Sequence, residues 1–427
     1  MTPIEDHPLR YQLTNELHAR PFPVLTVPGT AVFLAVKQAP DAVARDRGLD
    51  LTHLIALLDR FGAPHPPPGA THYSGQIGRH VLKWEQHTEF VTYTVFTDGL
   101  SARAFDPADF AVFPQDWLAD MPGTRLTSAL MRIEAHDGDA TAIKRHIRDW
   151  FEPESMAIAE VLDQSAVIAS DFRIDPTGHS RIAVFVPATT GKRRVGRIVQ
   201  RLFEIETYKT MAMLGLPVAR DLGAEMNRLE ERLVDLVADL RRPDANAAGT
   251  LDALLEVSAE LEHMAMRHGY RFSATVAYSA LVKQRIEVLR ETRFLGRQSF
   301  REFMMRRFDP AMRTCLSTAA RLENLTVRAE RAGNLLRTRV DVERSEQNQK
   351  VLQSMNRRAD LQLRLQRTVE GLSVVAISYY AVSLAGYLLY PLTEPLQVSK
   401  GMITAVVTVP VVGVVWWLIR RVHKRMH

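Results

Sequence analysis

The chain has 427 residues, 46% of them hydrophobic and 24% charged, with a formal net charge of +5. That composition is ordinary for a folded protein and leaves room for two or three domains. It excludes a disulfide scaffold, because the single cysteine, Cys315, cannot close an internal bridge and fits a reducing compartment. The positive excess is small and partly flanks apolar runs near the end of the chain, so no nucleic-acid partner is expected.

Residues 1–20 are polar and carry His7, Pro8, Arg10, His18 and Arg20 without an apolar core, so no signal peptide is expected. Val32–Lys37 is a short run rich in Val and Phe, the pattern of a buried strand. Leu51–Phe61 repeats Leu and Ile at helical spacing and stops at Gly62. His80–Gln86 and Glu89–Phe96 alternate with period two, placing Val81, Lys83, Glu85, Phe90, Thr92, Thr94 and Phe96 as one set, and a short polar turn joins them into a hairpin. Asp116–Asp120 reads as one or two helical turns and Ser128–Ala135 as a strand. Asp139–Phe151 reads as a helix with Asp139 as its N-cap. Ala166–Ile174 and Arg181–Val186 form a second hairpin around Asp175–Gly178. This half is expected to be an α+β sheet domain.

At Gly191 the period becomes helical and stays so. Val195, Ile198, Val199, Leu202 and Ile205 recur at three- and four-residue steps, and Pro217 is expected to end that helix. A second helix is expected over Val218–Leu240, and a third region, Thr250–Arg307, is interrupted only near His268–Gly269. From Met312 to Val369 there is no proline and one glycine, and Leu322, Leu325, Ala329, Ala332 and Leu336 make a coiled-coil-like seam.

Gly371–Tyr390 and Gly401–Ile419 are 20 and 19 residues without Lys, Arg, Asp or Glu. Each is long enough to cross a hydrocarbon core of roughly 30 Å as a helix. Arg357, Arg358, Arg364 and Arg367 precede the first, and Arg420, Arg421, Lys424 and Arg425 follow the second, while Pro391–Lys400 carries only Glu394 and Lys400. The positive-inside bias puts both outer ends in the cytoplasm. The expected organisation is a cytoplasmic α+β domain over 1–190, a helical stalk over 191–370, and a transmembrane hairpin over 371–427 with spans 371–390 and 401–419 and a basic tail.

Candidate chemistry is sparse. Lys192, Arg193, Arg194, Arg197 and Arg201 open a helix after Gly191, a place where an anion or a lipid headgroup could be held. The Gly191-Lys192 pair does not make a phosphate loop, since Arg193 stands where Ser or Thr would bind magnesium. His7, Glu16 and His18 crowd one segment, but Glu16 and His18 do not share a helix face, so no metal site is assigned there. His72, His80 and His87 lack ligand spacing and read as surface histidines, and no nucleophile sits in an elbow motif. No cofactor and no enzymatic activity are expected. In the first span Ser373, Tyr380, Ser383, Tyr387 and Tyr390 share one face. They either line a polar passage or pack helices together with Tyr387 and Tyr390 as interfacial anchors, and packing is favoured. Pro410 is expected to kink the second span.

Two resemblances follow. The stretches His7-Pro8-Leu9-Arg10, Asn15-Glu16-Leu17-His18-Ala19-Arg20-Pro21 and Arg194 to Tyr208, with the terminal hairpin, resemble a bacterial family of membrane-anchored proteins of unknown function over the whole chain. The layout is also similar to the CorA-type magnesium and zinc transporters, pentamers whose first span ends in Gly-Met-Asn; here Gly386 matches the glycine and Leu388 replaces the asparagine. The first resemblance implies a membrane anchor, and with the polar stripe it leads us to expect a homo-oligomeric scaffold or sensor in a bacterial inner membrane. The second implies a divalent-cation channel, the alternative.

Overall fold

The computed structural model describes residues 4–11, 13–14, 21–38, 45–239, 242, 246–389 and 399–426. The chain divides into two compact units, Met1–Asp244 with Asp252–Ala332, and Ala245–Leu251 with Gly333–His427. The protein is α+β.

The first unit is built on a mixed sheet of nine strands in the order β2-β3-β4-β1-β5-β8-β7-β6-β9. The strands are β1 (Gly29–Lys37), β2 (His72–Ile77), β3 (His80–Gln86), β4 (Val91–Asp98), β5 (Thr124–His136), β6 (Ala157–Val161), β7 (Ala166–Ile174), β8 (Ser180–Pro187) and β9 (Thr292–Arg293). Both predicted hairpins, β3–β4 and β7–β8, are antiparallel pairs. β5 and β8 pair in parallel, which requires a crossover, and that crossover runs through a helix and the two strands before β8.

One face of the sheet packs on a largely apolar core. Val32, Leu34 and Val36 of β1, Leu82 and Trp84 of β3, and Val91, Tyr93 and Val95 of β4 point into one core. Helices α1 (Arg47–Arg60), α2 (Gln115–Ala119) and α3 (Ala140–Trp150) contribute Leu54, Leu57, Leu58, Trp117, Ile143 and Ile147 to it. Asp139 caps α3, its side chain accepting the Thr141 amide at 2.8 Å. Within this core His53 is buried between Tyr93 and Trp117. Its Nε2 is 2.9 Å from the Trp117 carbonyl, which can only accept, so Nε2 carries the proton and Nδ1 is free to accept from Tyr93 Oη at 3.3 Å. Arg45 and Asp50 form an ion pair with side-chain exposures of 2% and 0%. Gln38 and Gln86 donate to the two Asp50 oxygens at 2.8 and 3.1 Å.

The other face is covered by α4 (Lys192–Met213), whose Val195, Ile198, Val199, Leu202, Phe203 and Ile205 are buried. Phe203 stacks on Phe33 of β1 with centroids 4.6 Å apart. The chain breaks at Leu214 and resumes as α5 (Gly215–Asp239). Pro217 therefore sits in the first turn of α5, where its missing N–H has no helical acceptor to lose, rather than ending α4. α6 (Ala247–Leu289) runs unbroken through His268 and Gly269, contrary to the expected interruption; an isolated glycine costs a helix only about 1 kcal/mol. The break falls later, before α7 (Phe300–Arg307), which opens on a capping box of Ser299 and Glu302. Arg228–Glu260 and Arg232–Glu256 ion pairs, at 3.1 and 2.7 Å, bridge α5 and α6.

α8 (Asp309–Leu389) is one helix of 81 residues, about 120 Å long at 1.5 Å per residue. It belongs to the first unit up to Ala332, where Arg321 and Arg328 pair with Glu230 of α5. The predicted seam of Leu322, Leu325, Ala329, Ala332 and Leu336 is buried. In the second unit α8 is exposed from Arg344 through Val369. It continues without a break into the first apolar run, and α9 (Lys400–Met426) contains the second, with Pro410 inside it.

Candidate functional site

All of the period-two set except Val81 lines a cavity of about 270 Å³ beneath α4. Lys83, Glu85, Thr92, Thr94 and Phe96 come from the strands, Gln200, Phe203, Glu204, Thr207 and Tyr208 from α4, and Arg285 from α6. Alternation along a strand usually separates a solvent side from a core side. Here both sides are covered, and Lys83, Thr92 and Thr94 are buried.

Burying these polar groups is tolerable because they satisfy one another. Lys83 Nζ lies 3.2 Å from a Glu85 oxygen and donates to Gln200 Oε1 at 2.8 Å. Gln200 Nε2 donates to Glu204 Oε1 at 2.9 Å, and Arg285 Nε donates to the other Glu204 oxygen. The result is a five-residue polar chain with two cations and two anions. A ligand entering the cavity must break a link of that chain, so the site selects for a molecule that replaces a hydrogen bond it removes. An aromatic wall continues from it: His87 stacks on Phe90 at 4.3 Å and Tyr208 on Tyr278 at 5.8 Å. Burial, together with nearby Glu89, pushes the Tyr278 hydroxyl well above its ordinary value.

Phe22 and Pro23 close one end of the cavity. The Leu25 amide donates to the Lys192 carbonyl at 3.3 Å, and the segment passes so near α4 that a Cβ at Gly196 would lie 1.7 Å from the Pro23 carbonyl oxygen. The glycine inside Arg194-Val195-Gly196-Arg197 is thus a requirement of close approach.

The basic cluster is dispersed by the helix. Lys192, Arg193 and Arg194 are exposed in the first turn, which has no acidic residue to match the helix dipole, and Arg194 donates to Ser165 Oγ at 2.9 Å. Arg197 and Arg201 lie further along and half-buried; burial and then Arg197 hold the Arg201 guanidinium below its ordinary value. The histidines are not all surface groups: His80 is half-buried, with Nδ1 2.6 Å from Thr97 Oγ1. Glu16 and His18 lie outside the described residues, and His7 Nδ1 accepts the Leu9 amide at 3.2 Å. Among the described residues no three His, Cys, Asp or Glu side chains converge on a metal position.

In the first apolar run, Tyr380 and Tyr387 are 72% and 79% exposed, Ser373 is exposed and Ser383 half-exposed; Tyr390 lies outside the described residues. The covered face is a different one. Ser378 is buried, and Ala381, Ala385 and Gly386 near it are partly covered. At 3.6 residues per turn this small-residue face lies roughly opposite the stripe. In α9 the covered residues Val407, Val411, Val415 and Ile419 recur every four residues. Arg420 and Arg421 lie over the rings of Trp416 and Trp417 at 4.9 and 5.0 Å.

Comparison with known proteins gives one family. Its model, described as a protein of unknown function (DUF3422), matches residues 5–426. No curated protein and no solved structure matches the chain. The chain belongs to this family.

Proposed function

We propose that this member of the DUF3422 family is a membrane-anchored, non-enzymatic homo-oligomer that acts as a scaffold or sensor. The observation that carries the reading is the exposure of the two apolar runs. Leu372, Val375, Leu384 and Leu388 of α8 and Val406, Val409 and Trp417 of α9 are more than half exposed. Both helices are long and apolar enough to cross a membrane, and only 6% of each such window is buried. The core helix of a soluble protein passes the same length test but is mostly buried, and soluble surfaces rarely expose a contiguous apolar patch of more than a few hundred Å². A bilayer supplies the missing cover. The Trp–Arg pairs that end the second run fit the aromatic and basic belt of an interface.

Oligomerisation is supported by what the anchor leaves open. The Tyr380–Tyr387 stripe points away from the covered face, and both rings are more than two-thirds exposed. Copies of the same chain are the simplest groups to meet that stripe. On this reading both ends of the chain are cytoplasmic in a bacterial inner membrane, and the cavity beneath α4 is where the first unit would sense a ligand.

Impermeant maleimide labelling in intact spheroplasts tests the topology, using Cys315→Ser as background with Glu5→Cys or Ser399→Cys. The Ser399→Cys position should label from outside and the Glu5→Cys position only after lysis. The reverse pattern would invert the topology, and labelling of neither position before lysis would remove the anchor. Mass measurement in detergent should give a multiple of the chain; a monomer would remove the oligomer.

A further inference from the structure

A second cavity, of about 510 Å³, lies in the first unit between α3 and the loop that leads to α7. This is within the size range of preformed small-molecule sites. Its floor is apolar: Ile147 of α3, Met156, Ile158 of β6 and Phe294 are each no more than 7% exposed. Its rim is basic: Lys144, Arg145, Arg148 and Arg297 are all exposed, and no Asp or Glu lines it. Arg148 has Asp149 at 3.6 Å. Arg145 contributes to holding the Asp139 carboxyl low but forms no ion pair, and neither do Lys144 and Arg297, among the described residues.

The loop is tied to the segment that forms this floor. The Ile158 amide donates to the Gln298 carbonyl at 2.9 Å, and Gln298 Nε2 donates to the Met156 carbonyl at 2.7 Å. Leu295 sits at the mouth in a left-handed conformation, φ 49°, with half of its side chain exposed. Holding a leucine in that region costs free energy. The contrast with the first cavity is direct. There each charge has a partner within the site; here Lys144, Arg145 and Arg297 form no ion pair among the described residues, and Arg148 meets only Asp149, outside the lining.

We propose that this cavity binds an amphiphile with an anionic head, its apolar chain on the floor beside Leu295 and its carboxylate or phosphate between Lys144, Arg145 and Arg297. Charge complementarity selects the anion, and the apolar floor selects the chain. Neither a free anion nor a neutral amphiphile satisfies both halves. The ligand is either a soluble acyl anion or the head of an anionic membrane lipid, and both carry this chemistry. The assignment does not depend on the anchor, because every residue named belongs to the first unit.

The test is calorimetric titration of the full-length protein, held in phosphatidylcholine nanodiscs, with octyl phosphate, subtracting empty discs. Octyl glucoside and inorganic phosphate are the half-matching controls. Octyl phosphate should bind saturably and at least about tenfold more tightly than either control, and Arg145→Gln/Arg297→Gln should weaken it by about tenfold or more. Arg145→Lys/Arg297→Lys should recover most of the loss. Leu295→Asp, a change at an exposed position, should weaken octyl phosphate as well and serves if the double variant does not fold. Equal binding of either control, or variants that bind like the parent, would overturn the assignment. Repeating the titration in discs containing phosphatidylglycerol separates the sources. Competition that Arg145→Gln/Arg297→Gln abolishes identifies a lipid head, and an unchanged titration identifies a soluble amphiphile.

Discussion

α4 and the last turns of α8 are helices of similar length that meet opposite fates. α4 buries Val195, Ile198, Val199, Leu202 and Phe203 against the sheet and turns its basic first turn outward. The stretch 371–389 is apolar on nearly every side, yet most of it is exposed. In the first unit the sheet's apolar faces meet helices, and the buried carboxylates Asp50, Glu89 and Asp171 each have an arginine partner. The second leaves its apolar surface unanswered. The same hydrophobic effect that closes the sheet unit therefore asks for a different solvent around the second unit, and that difference carries the membrane reading.

The largest effect should come from breaking the pairing rule in the first unit. Asp50→Ala leaves Arg45, 2% exposed, without its carboxylate and strips Gln38 and Gln86 of an acceptor. A loss of about 3–5 kcal/mol is expected in denaturant unfolding of the sheet unit. Next comes a substitution whose cost depends on the surroundings. Val409→Arg lies at a position 77% exposed. On a water-facing surface it would be nearly silent, whereas in a span it should cost about 3 kcal/mol of insertion and lower the membrane-integrated fraction. Gly196→Ala should cost about 2 kcal/mol, because its Cβ must push back the Pro23 carbonyl, and it should free the Phe22–Pro23 end of the cavity. Limited proteolysis near residue 21 would report that release.

The smallest effect is a pH dependence. Burial holds the His53 imidazole below its ordinary value, against the Trp117 carbonyl, which raises it. The unfolded chain therefore binds the proton more readily than the folded one. The stability His53 contributes is present above its unfolded value of about 6.5 and is lost as pH falls through the lower folded value. Between pH 8 and 5 the parent should lose stability more steeply than His53→Gln.

Local chemistry made much of the fold readable. Period two at His80–Phe96, the Asp139 cap and the uncharged runs after Gly371 each mark an element the structure contains. β6, Ala157–Val161, is short and buried on both faces, so it has no period to show, and β2 is an edge strand of mixed polar residues. The parallel β5–β8 pair joins residues about 50 apart, and nothing local specifies it. The first cavity was half legible: the alternation named Lys83, Glu85, Thr92 and Thr94, but their burial under α4 depends on a helix more than 100 residues later. The second cavity left no mark, since its floor is assembled from α3, β6 and a loop at Phe294. In the first apolar run the stripe of hydroxyls is legible from spacing alone. The small-residue face opposite it, and the Trp416 and Trp417 rings beneath Arg420 and Arg421, are legible only once the helices are placed.

Alkaline carbonate extraction of membranes from cells expressing the full chain tests the central claim most directly. A protein whose two apolar helices are covered by lipid stays in the membrane pellet at high pH, and removal of residues 371–427 releases the rest to the supernatant. A full-length chain that appears in the supernatant, folded and free of lipid, would contradict the account.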